Sequence, residues 1–71
     1  MTTAEITARA LLKRRPLDKL IADFEMTESM QTTVELAMTR GWIMDELENR
    51  NPAAFEAWID SYTDSPRKFF L

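Results

Sequence analysis

Asn51-Pro52-Ala53-Ala54-Phe55-Glu56-Ala57-Trp58-Ile59-Asp60-Ser61-Tyr62 is the stretch that decides the fold. An Asn side chain can accept from an unpaired N–H at a helix start, and Pro fits the first helical position, where its missing N–H would have no partner. Phe55, Trp58, Ile59 and Tyr62 then recur at i, i+3, i+4, i+7, the stripe of an amphipathic helix. The spacing predicts a helix from Pro52 to Tyr62, with these four in the core and Glu56, Asp60 and Ser61 facing away.

Immediately upstream, Thr32 stands three residues before Glu35 in capping-box spacing. A helix from Thr33 to Asn49 is predicted to follow. Leu36, Ile43 and Leu47 share one face with Met44 at its edge, whereas Met38 and Trp42 lie on another. Gly41 sits inside it, at a cost of about 1 kcal/mol against Ala. The helix is therefore either bent near Arg40-Gly41 or covered on both faces. Met26 to Gln31 has no period and reads as a connector.

Further upstream, Leu17, Leu20, Ile21 and Phe24 form a clean stripe on a short helix opened by Pro16 and ending near Glu25. Thr2 to Glu5 repeats the capping-box spacing, which predicts a first helix from Thr3 to Arg14. Its apolar face is Ala4, Ala8, Leu11 and Leu12, with Arg9 and Lys13 opposite and Ile6 beside them. Pro16 disfavours helical geometry at Arg15 and ends that helix. At the other end, Ser65-Pro66 repeats the cap-then-Pro signature, so Arg67 to Leu71 adds one turn. No period-2 segment appears. The expected fold is all-α: one domain, residues 1–71, a compact bundle of three main helices with one or two short ones.

Composition narrows function. The 71 residues include no His, no Cys and one Gly. Without His there is no imidazole base tuned near neutral pH, and without Cys no thiolate nucleophile or metal ligand. A single Gly cannot form a glycine-rich phosphate loop. Enzymatic activity is not expected, nor is a cofactor or a metal site. The N-terminal residues lack the basic-then-apolar pattern of a signal peptide, and no apolar run approaches a membrane span. A cytoplasmic, non-membrane protein is expected.

Charge is segregated. The net charge is −3, yet Arg9, Lys13, Arg14, Arg15 and Lys19 make a basic collar with only Asp18 among them. Asp23 to Asp64 carries ten acids against Arg40 and Arg50. The collar could contact phosphates of a nucleic acid, complement a helix C-terminus, or meet this protein's own acidic body. A helix-turn-helix reading fails, because the connector after Glu25 is long and the following helix is acidic. Asp45 and Glu48 share a helix face and could hold a cation or divide acid and base roles, but charge runs of this kind are usually solvated. The acidic stretch also suggests a nucleic-acid mimic, although its aromatic spacing assigns much of it to core.

Four apolar residues stand apart from the main stripes: Met38 and Trp42 on the third helix, and Phe69 and Phe70 at the C-terminus. A thin core cannot easily cover all four, so at least one is expected to be exposed as a partner-docking residue. The leading expectation is a non-enzymatic interaction or regulatory protein that binds another protein. The alternative is a nucleic-acid-associated factor using the collar. In either case the chain is a monomer or weak homodimer.

Arg40-Gly41-Trp42-Ile43-Met44-Asp45-Glu46-Leu47-Glu48, with Asn51 to Asp60 after it, resembles a pattern in small uncharacterised proteins of bacterial mobile elements. The likeness covers the C-terminal half. It implies a small helical accessory protein and carries no functional residue with it.

Overall fold

The computed structural model describes residues 1–71 and contains five helices and no strand. These are α1 (Thr3–Arg14), α2 (Leu17–Thr27), α3 (Val34–Arg50), α4 (Pro52–Ser61) and α5 (Arg67–Phe70). The all-α expectation holds, with four substantial helices instead of three. No helix is long and apolar enough to cross a membrane. α3 is the central element: α1, α2 and α4 all pack on it, and α5 packs on α4.

The core is where three stripes meet. Leu20, Ile21 and Phe24 of α2 face Ile43 and Leu47 of α3 and Trp58 of α4, all buried. Leu12, Leu17, Met44, Phe55, Phe69 and Phe70 pack around them, partly covered. Trp58 meets Phe24 edge to face at 5.3 Å and Phe55 at 5.8 Å, the geometry that the ring quadrupoles favour.

Two caps form at the expected residues. The Thr2 hydroxyl accepts the Glu5 N–H at 3.1 Å, and the Asn51 carboxamide oxygen accepts the Ala54 N–H at 3.1 Å, with Pro52 opening α4. Asn51→Ala should therefore lower the urea midpoint by the equivalent of about 1 kcal/mol without changing the slope. An unchanged midpoint would mean the cap contributes nothing.

Several local expectations need correction. The α3 cap is Thr33, not Thr32. Thr33 is extended, so the helix starts at Val34, and its hydroxyl accepts the Leu36 N–H at 3.0 Å. Pro16 sits just outside α2, its carbonyl accepting the Leu20 N–H, and α2 runs past Glu25 to Thr27. The Thr27 hydroxyl donates to the Phe24 carbonyl at 2.6 Å and accepts from Arg40. α3 is continuous through Gly41, where an added Cβ would meet nothing, so different neighbours cover its different faces.

The inward line of α1 is Glu5, Ala8, Arg9 and Leu12, while Leu11 is 62% exposed and Ala4 also faces solvent. Arg9 turns in because carboxylates wait for it there. Finally, α4 stops at Ser61, and Tyr62 takes a left-handed conformation with φ 57°. That reversal removes Tyr62 from the stripe and leaves it 95% exposed; Ile59, at the edge of α4, is exposed too. Only Phe55 and Trp58 of the four stripe residues pack inward.

Candidate interaction surface

The collar is divided by the acidic body. Arg9 reaches Glu5 one turn earlier at 3.1 Å and crosses to Asp45 of α3 at 3.0 Å. The hydrogen bond to Asp45, then that to Glu5, raises its pKa above the ordinary arginine value. Arg15 forks onto Asp23 of α2, with Nη2 at 2.9 Å from Oδ1. Lys13 and Arg14 have no carboxylate partner. Of the four collar residues singled out from the sequence, two are structural and two are free.

Asp45 is drawn to Arg9, Glu46 pairs with Arg50 at 2.8 Å, and Glu48 stands alone on the surface. No group of three acidic side chains converges in a metal-binding arrangement.

Of the four apolar candidates, Met38 is 45% exposed and Trp42 is half-buried. Phe69 and Phe70 are both half-buried against the core, so Met38 is the exposed one of the four. Pro66, fully buried, starts the turn that carries them. Glu25 of α2 latches this segment. It receives Arg67 Nη2 at 2.6 Å and Nε at 3.0 Å, and the Ser65 hydroxyl at 2.7 Å.

The hydrogen bonds from Arg67 and then Ser65 pull the Glu25 pKa down from 4.5 to about 2. A carboxyl whose pKa is lower in the folded chain stabilises it in the charged form. That contribution is complete above pH 4.5 and is lost as pH falls through about 2. Glu25→Gln should be less stable than the parent at neutral pH, with the gap in melting temperature closing across that acid window. A gap independent of pH would show that the latch carboxylate is not the titrating group.

Trp42 and two collar residues come together. A groove of about 400 Å3 runs between α1 and α3, lined by Met1, Ile6 and Ala10 on one side and Trp42 and Asn49 on the other, with Arg9 and Lys13 along its rim. Its polar wall is already partly neutralised, because Arg9 is held by Glu5 and Asp45 and Glu46 by Arg50. Lys13 is the one lining charge without an ion-pair partner. Sequence reading placed Ile6 beside Arg9 and Lys13 but not opposite Trp42, since that neighbourhood depends on the crossing of α1 and α3.

A second apolar area lies where α2 ends and α3 begins. Met26 and Met30 are exposed there beside the half-buried Leu36. Both methionines fall in or beside the aperiodic connector, which gave no helical face on which to place them. Fold and surface together define a small all-α bundle with a mixed apolar and basic groove. No known protein family, curated protein or solved structure matches the chain.

Proposed function

We propose that this chain is a non-enzymatic interaction module that binds another protein through the α1/α3 groove. The observation that carries this reading is Trp42, half-buried on a groove wall with Ile6 and Ala10 opposite and an unpaired Lys13 at the rim. Tryptophan beside apolar neighbours, bordered by polar groups, is the composition of a binding hot spot. Of the groups that could serve chemistry, every guanidinium but that of Arg14 and six of the twelve carboxylates are engaged in ion pairs. The resemblance of residues 40–60 to small proteins of bacterial mobile elements supports an accessory, regulatory role, and the composition supports a cytoplasmic setting.

The nucleic-acid reading draws less support, because Arg9 and Arg15 spend their charge on Asp45 and Asp23. Phosphate contacts would fall to Lys13, Arg14 and Lys19.

The groove reading is tested with Trp42→Ala. Immobilised wild type and variant are compared as bait in lysate of the source organism. Wild type should retain a partner that the variant loses, with the variant still folded by circular dichroism. If both retain the same proteins, the groove is not the binding site.

A further inference from the structure

The chain itself presents a surface of the opposite character. On α4, Pro52, Phe55 and Ile59 form an apolar strip flanked by Glu48, Glu56 and Asp60. Ile59 is exposed at its centre, and none of the three acids has a cationic partner. The residues Pro52, Phe55, Glu56, Ile59 and Asp60 follow helical spacing, so apolar and acidic groups occur on adjoining lines of one helix. That is the form of an amphipathic helix presented to a groove.

The two surfaces cannot meet within one molecule. Glu46 lines the α1/α3 groove and Glu48 borders the α4 strip. Two positions along an α-helix differ by about 200° in direction, so these side chains leave α3 on nearly opposite sides. Lys13 at the groove, with Arg14 next to it in sequence, and Glu48, Glu56 and Asp60 at the strip are thus uncompensated charges of opposite sign, held apart by α3.

We propose that the α1/α3 groove receives the α4 strip of a second copy of this chain, with Ile59 against Trp42 and Glu56 or Asp60 against Lys13. This assignment rests on the groove reading above and names its occupant. The contact is heterologous: each added copy leaves one groove and one strip unfilled, so association continues unless a ring closes. One ten-residue helix in one groove is small beside a standard stable interface, so the association is weak and reversible. Charge complementarity of exposed groups makes it sensitive to salt.

Sedimentation equilibrium of the full chain tests this directly. At low salt the weight-average mass should rise with concentration, and high salt should suppress the rise. Two charge-reversed variants decide the geometry: Lys13→Glu with Arg14→Glu, and Glu56→Lys with Asp60→Lys. All four positions are exposed and free of internal ion pairs, so both variants should keep the wild-type circular dichroism spectrum. Each alone should lose self-association by about tenfold or more. Mixed in equal amounts they should associate with each other, because the first variant's acidic rim fits the second's basic strip and the first's unaltered acidic strip fits the second's unaltered basic rim. Wild type that stays monomeric at all concentrations overturns the proposal, as does a mixture no more associated than either variant. If wild type is monomeric but Trp42→Ala loses a captured partner, the second-copy assignment fails and the groove reading stands. Self-association unchanged by Trp42→Ala overturns the use of the groove for this contact.

Discussion

Trp58→Ala should unfold the protein at a markedly lower temperature and denaturant concentration than any other single apolar substitution in the core. Trp58 is 4% exposed and holds three elements at once. Its ring lies edge-on to Phe24 of α2 and Phe55 of α4, and its indole N–H donates to the Thr63 carbonyl at 2.8 Å. Removing a buried aromatic ring costs about 3–5 kcal/mol, a large part of the stability of a domain this small. The damage should spread, because the Thr63 hydrogen bond also fixes the left-handed turn at Tyr62 that brings Pro66, Phe69 and Phe70 back onto the core. Urea unfolding followed by circular dichroism measures the loss. Trp58→Phe separates the two contributions: it keeps a ring against Phe24 but leaves the Thr63 carbonyl without its donor, and should cost much less. A Trp58→Ala midpoint close to that of the parent would contradict the core described here.

What could be read from the sequence was local and periodic. The Thr2 and Asn51 caps form as read because a capping side chain bonds only two or three residues ahead. Leu17, Leu20, Ile21 and Phe24 pack inward because α2 has neighbours along the whole width of its stripe. The same rule fails at Ile59 and Tyr62. Period marks a helix face, but it does not say how much of that face a 71-residue chain can cover, nor that a non-glycine residue will adopt a left-handed turn and end the helix. Leu11 misleads for a related reason: Arg9 pairs with Asp45, remote in sequence, so the face that α1 turns to α3 carries Arg9 with Leu12, and Leu11 is left in solvent. The groove was legible in parts, as Trp42 off its stripe and as a basic collar. Their meeting was not, because it is a product of helix crossing. Thr32 against Thr33 is a one-residue shift between adjacent identical residues, which spacing alone cannot separate.

The contact least visible in the sequence carries the second large effect. Arg50 ends α3, and its Nη2 donates to the carbonyls of Leu12 at 2.9 Å, Lys13 at 3.3 Å and Arg15 at 2.7 Å. The Lys13 and Arg15 carbonyls have no backbone N–H partner, that of Leu12 already accepts the Arg15 N–H at 3.1 Å, and all three lie at the negative end of the α1 dipole. Its Nε binds Glu46 at 2.8 Å, a carboxylate only 11% exposed. One side chain therefore closes the end of α1, neutralises a largely buried acid, and ties α1 to α3 beside the groove. Arg50→Ala should cost about 2–3 kcal/mol, because charge-assisted hydrogen bonds are lost and Glu46 is left without its partner. Arg50→Lys should recover only part of this, since an ammonium offers charge to Glu46 but not the planar fork that reaches Glu46 and the α1 carbonyls together. A double-mutant cycle with Glu46→Gln distinguishes the two roles. If the carbonyl contacts matter, Arg50→Ala should remain destabilising in the Glu46→Gln background. If the whole cost vanishes there, Arg50 acts only as the counter-ion of Glu46, and α1 is held to α3 by Leu12 and by the Arg9–Asp45 pair.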